Sequence, residues 1–270
     1  MLCSNGSCGR HYQLIKRPDT LVRGTIDVNA LSGGDIGVTV NGVVAHVYGN
    51  SFAANHVPLR QGDNNTITAI AISSDDYMAK DNATISADTT GGSITLSSNL
   101  ESGIVSDITP LDFTLKLART YDNGTYSFSY DGPGAVENLG DNGTSMQFMR
   151  RITDAGLYYI TAEDNETMDN GTIRLHTDTI AILAESRNML DTKLKAKWSG
   201  VRSALSENDI NVAIKYFDSS TKIIYSEIFA GMPDQLAQMA QDMANIQLIK
   251  IGNDRAEYDL RIVRNGQVFS

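Results

Sequence analysis

Up to about residue 185, apolar residues alternate with polar or small ones in short runs rich in Thr, Val, Ile, Gly and Asn, and turn signals interrupt them about every 8–15 residues. That is the pattern of antiparallel β-sandwiches. Beyond that point the period changes. Leu190, Leu194, Trp198, Val201 and Leu205 step by 4, 4, 3 and 4, which predicts one face of an amphipathic helix. Leu236, Met239, Met243 and Ile246, following Pro233, have the same spacing and predict a second helix whose methionines pack in a core. Ile246 to Ile251 and Arg255 to Val263 read as strands, and Asn265-Gly266 as a hairpin turn into Gln267 to Ser270.

The β part divides near Asp88-Thr-Thr-Gly-Gly92, where no apolar periodicity survives. Before it, Val38 and Val40 alternate, Asn41-Gly42 follows, and Val43, Ala45 and Val47 alternate again. Asn-Gly between alternating runs predicts a type I′ hairpin, because both central residues need positive φ. Gly49-Asn50 offers a second turn into Phe52, and Ile67, Ala69 and Ala71 predict a strand with little polar exposure on either face. After the division, Asp-Asn-Gly-Thr occurs at 122–125, 141–144 and 169–172, each between β-type runs and each read as a turn. Asp154-Ala-Gly156-Leu-Tyr158 is the local sequence of a tyrosine corner, in which the Tyr158 hydroxyl bonds back to upstream backbone. Ile160 stands where antibody domains carry a Cys, so the sandwich expected here is disulfide-free and immunoglobulin-like or PKD-like.

Two segments add a resemblance. Val40-Asn-Gly-Val-Val-Ala-His-Val47, Phe52, Val57-Pro-Leu59 and Gly62 to Ala71 resemble the bacterial immunoglobulin-like module called glucodextranase domain B. The chain departs from it by one extra residue before Val57 and a doubled Asn at 64–65, both read as bulges. The resemblance implies a non-catalytic module of secreted enzymes and surface proteins. Trp198 through Leu205, Asn208-Asp-Ile210, Ala213-Ile-Lys-Tyr-Phe217, Tyr225-Ser-Glu-Ile-Phe229 and Ala256-Glu-Tyr258 resemble the start of a cone-shaped α+β domain of the nuclear-transport-factor-like superfamily. That resemblance implies helices over a curved antiparallel sheet enclosing a pocket, with Tyr216, Tyr225 and Tyr258 as candidate lining beside Phe217, Phe229, Met239 and Met243. The order of modules is similar to that in large surface proteins of environmental bacteria.

Composition narrows the function classes. At 270 residues with a net charge of −10, the chain suits two or three domains and lacks the basic face that nonspecific nucleic-acid binding needs. The charge is uneven: 186–270 sums to +1 and 1–185 to −11. No run approaches the roughly 20 apolar residues of a membrane-spanning helix, and Met1 to Gly9 holds no apolar segment of a signal peptide.

The candidate chemistry is sparse. Cys3, Cys8 and His11 form C-x4-C-x2-H, which lacks the fourth ligand of a structural zinc site; a small disulfide loop or two free thiols is the simpler reading. His11, His46, His56 and His176 are far apart, and satisfied or exposed histidines explain them. Asp75, Asp76, Asp81 and Asp88 offer oxygens for calcium, against the plainer reading of a solvated acidic linker. Seven Asn-x-Ser/Thr sequons occur, at Asn5, Asn64, Asn82, Asn123, Asn142, Asn165 and Asn170. They are glycan acceptors only in a eukaryotic secreted chain, and three coincide with the Asp-Asn-Gly-Thr turns. Lys193, Lys195 and Lys197 read as a solvated helix face, with Lys193 and Lys197 opposite the leucines. The motifs H-E-x-x-H, G-x-S-x-G, G-x-x-x-x-G-K-[ST] and G-x-G-x-x-G are absent, and no His follows His176 to serve a cone-domain enzyme.

The sequence therefore predicts a multidomain chain: an extension (1–19), two all-β immunoglobulin-like sandwiches (20–87 and 91–184), and an α+β domain (186–270). The last is expected to be truncated, with an unpaired sheet edge, low stability and a tendency to self-associate. The expected role is a non-catalytic spacer or recognition region of an extracellular or cell-surface bacterial protein, without catalytic residues, cofactor or metal. Its partners would be other surface proteins or polysaccharide, with no nucleic acid and no membrane span. Two alternatives are a carbohydrate-binding accessory to a glycoside hydrolase and a small-ligand pocket or enzyme in the α+β domain. Against the first, sugar platforms use exposed aromatics and the only Trp lies in the helical segment.

Overall fold

The computed structural model describes residues 2–4, 14–27, 36–73, 78–103, 107–243, 245–251, 255–260, 262–264 and 267–269. It divides into two compact units, Met1–Glu185 and Ser186–Ser270.

The first unit begins with β1 (Leu2–Ser4), β2 (Leu14–Ile15), β3 (Asp19–Thr25), β4 (Ile36–Val40), β5 (Val43–Val44), β6 (His46–Tyr48), β7 (Ser51–Pro58), β8 (Gly62–Ser73) and β9 (Met78–Ala87). These form two sheets, ordered β1-β3-β7-β6 and β2-β9-β8-β4-β5. Val22, Phe52 and Val57 from one meet Val38, Val40 and Ile67 from the other in a shared core. Asn41 and Gly42 have φ of 48° and 85°, the left-handed pair that the hairpin turn requires. The Asn41 side chain accepts from the Thr68 N–H at 2.8 Å and donates to the Thr66 carbonyl at 3.1 Å, tying the turn to β8. The returning strand differs from expectation. It leaves β4 after Val44, and β6 pairs with β7 in the opposite sheet. Ala45 and His46 are buried in succession, which a strand of period two against one core cannot provide, so the chain changes sheets between them.

Then follow β10 (Ile94–Ser98), β11 (Asp107–Ile108), β12 (Leu111–Arg119), β13 (Gly124–Asp131), β14 (Val136–Asn142), β15 (Gln147–Ile152), β16 (Gly156–Thr167) and β17 (Ile173–Glu185). Their sheets run β10-β12-β15-β14 and β11-β17-β16-β13. Leu111, Phe113, Leu115 and Leu117 alternate inward from β12 and meet Ile160, Ile180 and Ile182 from the facing sheet. Both pairs of sheets follow one plan. In each, a two-residue strand (β2, β11) runs parallel to the last long strand (β9, β17), and the other pairings among the described residues are antiparallel. With the two-residue strands β2, β5 and β11 set aside, each four-stranded sheet holds the first, second, fifth and fourth strands of its set and faces the remainder, which is the immunoglobulin-like arrangement.

The second unit comprises α1 (Arg187–Ser206), α2 (Ile210–Ala213) with a 3-10 turn over Ile214–Tyr216, α3 (Ser219–Ala230), a 3-10 turn over Pro233–Gln235, α4 (Leu236–Asp242), β18 (Ile246–Ile251), β19 (Ala256–Leu260), β20 (Ile262–Arg264) and β21 (Gln267–Phe269). Ser186, Asp209 and Asp218 cap the N-termini of α1, α2 and α3 by accepting backbone N–H bonds. Val201, Leu205, Ala213, Phe229 and Leu236 form the core. The helix expected through Ile246 stops at Asp242. Met243 is already extended, and Ile246 opens β18, where the period-two alternation of Ile246 and Leu248 takes over. Among the described residues β18 pairs with β19 and β20 with β21, all antiparallel.

Candidate functional site

Unit 186–270 contains a cavity of about 1090 Å³. Helix α1 supplies one wall: Leu190, Leu194, Trp198, Val201 and Leu205, the stripe the spacing predicts, all line it. Tyr216, Tyr225 and Tyr258, far apart in sequence, are brought together on the same cavity. Gly200 makes room for Tyr216, since a Cβ there would collide with the phenol ring. Tyr225 stacks on Phe217 with centroids 4.2 Å apart, and Phe229 closes the cluster at 6.0 Å from both. Tyr258 enters from β19. Burial and the facing Asp191 carboxylate push its hydroxyl up to about 12. Asp191 is itself held below the usual carboxylate range, first by the Lys195 ammonium 2.8 Å away. Lys197 also lines the cavity, which corrects the expectation that it lies opposite the leucines. It falls seven residues after Leu190, two helical turns on, and so shares their face.

The sequence did not announce a second cluster, at the seam between the two pairs of sheets. Its origin is a bulge. Opposite Leu21, β3 shifts register between Thr20 and Val22, so β7 fits both Asn55 and His56 between Ala54 and Val57. His56 takes φ 49° there. The extra residue before Val57 is thus accommodated as a bulge, and the second departure, at Asn64–Asn65, lies at the register shift between Gly62 and Asn65. The bulge turns Asn55 onto β17. Its amide donates to the Ala181 carbonyl at 2.8 Å and to the Glu101 carbonyl at 2.6 Å, and its oxygen accepts from the Ala181 N–H at 2.7 Å. Leu21 and Ala53 pack there against Leu157, Ala181 and Leu183.

Charges surround this contact. Arg17 pairs with Asp178 at 2.6 Å and with Asp19 at 2.9 Å, and donates to the Thr177 carbonyl at 3.1 Å. Asp178 also accepts from the Leu96 N–H at 2.6 Å, and burial raises its pKa above the ordinary value despite Arg17. His56 lies between Asp19 at 3.0 Å and Glu101 at 3.5 Å. Bonds to Asp19 first and Glu101 second push its pKa up to about 10, so it is an imidazolium at neutral pH. Asp19 titrates low: burial opposes this, but the bonds from His56 and Arg17 prevail. His46 is the converse. It is buried with neither ring nitrogen in a hydrogen bond of good geometry, and burial lowers its pKa. Beside the seam is a polar cleft of about 550 Å³ that Lys16, Arg174 and His176 help to line.

Tyr158, at the start of β16, is fully buried and donates its hydroxyl to the Asp154 carbonyl at 2.9 Å. Gly132, where a Cβ would strike its ring, leaves the space, and Gly156 supplies φ 151° against Pro133. Cys8, His11, Asp75 and Asp76 lie outside the described residues, and Cys3 is described only as backbone in β1. Asp81 is not in a linker. It sits in β9 opposite Ala69, because the β8–β9 ladder extends to Met78. Asp88 is in the connection and accepts from Thr90 at 2.6 Å. His176 bonds Glu166 at 2.8 Å, and its ring lies tilted against Tyr121 with centroids 5.1 Å apart. Lys193 and Lys195 are exposed, and so are six sequon asparagines, whereas Asn5 lies outside the described residues. Among the described residues, no helix is long and apolar enough to cross a membrane.

No family model matches the chain, and no curated protein matches it. Solved structures give distant likenesses. The fibronectin(III)-like modules of Clostridium thermocellum CbhA align over 70% of this chain and 96% of theirs at 10% identity and TM-score 0.24. Murine CEACAM1b aligns over 64% and 95% at 10% identity and TM-score 0.23. The Bacteroides ovatus mixed-linkage glucan utilization protein SGBP-B, solved with a heptasaccharide, aligns over 68% and 45% at 11% identity and TM-score 0.18. At such TM-scores none of them assigns a function.

Proposed function

We propose that this chain is a non-catalytic spacer and recognition region of an extracellular protein, built of modules 20–87, 91–184 and 186–270, with the two β modules acting as one rigid spacer. The observation that carries the reading is the two-way bond between the Asn55 side chain and the Ala181 backbone. A flexible string of sandwiches has no use for a buried side chain that satisfies both the donor and the acceptor of a residue 126 positions away. Dipolar-coupling NMR on the full chain tests it. Amides of 36–73 and 78–87 should fit one common alignment tensor with those of 94–103 and 107–185, and Asn55→Ala should split that tensor in two. Separate tensors in the unaltered chain would end the spacer reading.

A second reading, a carbohydrate-binding accessory, is favoured by the polar cleft beside the seam, since binding sites concentrate where modules meet. A glycan array with acidic and neutral oligosaccharides decides it. Binding lost in Arg174→Ala supports that reading, and no binding at all removes it.

A further inference from the structure

The helical unit has more room than a packed core leaves. The space here is about 1090 Å³, slightly above the roughly 300–1,000 Å³ of ordinary ligand pockets. Its shape follows from α1. The lining residues from Leu190 to Leu205 run along fifteen residue steps, about 22 Å at 1.5 Å per residue. An extended alkyl chain advances about 1.3 Å per carbon, so a chain of about 16 carbons matches that wall. The facing wall includes Met232, Met239 and Met243, flexible side chains that adapt to an apolar guest. The charged lining is balanced: Lys197 and Arg255 against Asp234 and Asp242.

We propose that this cavity binds a single-chain amphiphile, with its hydrocarbon chain along α1. This rests on reading 186–270 as the recognition module. The balanced charges mean that the tail is selected and the head group is not, so a fatty acid and the matching fatty alcohol bind alike. Affinity should rise about fourfold per methylene and level off once the chain reaches the length of the wall.

Trp198 is the only tryptophan and lines the cavity, so its fluorescence reads occupancy directly. A dibromostearate, whose bromines quench indole, is titrated into the full chain below its micelle concentration. Saturable quenching is expected, with stearate and octadecanol competing within about threefold of each other, as a tail-only site requires. Ala256→Phe, which puts a ring into the cavity from β19, should weaken binding at least tenfold. Met239→Phe serves where circular dichroism shows the first variant unfolded. Ile224→Ser, on the exposed surface of α3 and outside the lining, should leave binding unchanged. The proposal is overturned by quenching that does not saturate, by loss of quenching in Ile224→Ser with retention in Ala256→Phe, or by failure of octadecanol to compete. None of these outcomes bears on the seam, whose rigidity the dipolar couplings read separately.

Discussion

The seam between the two β modules and the wall of the helical cavity use polar and apolar side chains in opposite ways. At the seam, Asn55 uses both amide donors and its oxygen, and Arg17 bonds Asp19, Asp178 and Thr177 on the flanking strands. In the cavity the aromatic and methionine side chains face open space, and elsewhere in that unit Ile223 and Ile249 remain 71% and 60% exposed. A satisfied polar contact fixes one geometry, because each bond broken leaves a buried group unpaired. Unfilled apolar volume fixes nothing, and it leaves transfer free energy for a guest to claim. One region is therefore built to hold position and the other to receive.

The contrast breaks most visibly under truncation of a large side chain. Phe148 is fully buried, with Phe128 and Tyr126 rings 4.7 and 5.0 Å away. Phe148→Ala should cost about 3–5 kcal/mol, the transfer loss plus an uncollapsed hole. Met239→Ala should cost no more than about 1 kcal/mol, since that side chain already lacks neighbours on one side. Urea titrations read the first by circular dichroism and the second by Trp198 emission. Equal costs would mean that the cavity collapses in solution.

Next in size is the charge pair at the seam. Arg17→Ala leaves Asp178, 6% exposed, without its cation. The expected loss is about 3 kcal/mol, because removing one partner of a buried pair costs far more than the pair contributes. Adding Asp178→Asn to Arg17→Ala should recover part of the loss, since the uncompensated charge goes while the Leu96 N–H keeps an acceptor. A loss below about 0.5 kcal/mol would place the pair with surface ion pairs.

Short-range features were legible in the sequence and long-range ones were not. Asn41-Gly42 needs only its own φ values to turn, and Tyr158 bonds a residue four positions back, so each reads from a few neighbouring letters. The stripe along α1 reads from its own period. Arg17 and Thr177 are 160 residues apart, and no local pattern joins them. The one available clue was Asn55-His56 interrupting an apolar run at the extra residue before Val57, which marked a bulge but not what the bulge would touch. Lys197 reads differently from two starting points: four residues from Lys193 suggests the solvated face, whereas seven from Leu190 puts it on the cavity.

The smallest effect is a pH profile, and it separates the two regions cleanly. His56 has a folded pKa of about 10 against an ordinary 6.5. Its contribution is therefore complete below about 6.5, where both states hold the proton, and drains away as pH climbs toward 10. His46 acts with the opposite sign. Burial lowers its pKa, so the unfolded chain takes up a proton first as pH falls below 6.5, and stability drops on the acid side. The β modules should accordingly be most stable near neutrality and weaken toward both extremes. The ring of His56 is a quarter exposed, and screening by solvent holds its share to about 1 kcal/mol. His56→Gln should flatten the alkaline arm and His46→Gln the acid arm, each leaving the other in place. No histidine occurs beyond His176, so over the same range unfolding of 186–270, read by Trp198, should stay level. An alkaline arm that survives His56→Gln would show that the imidazolium between Asp19 and Glu101 does not hold the seam.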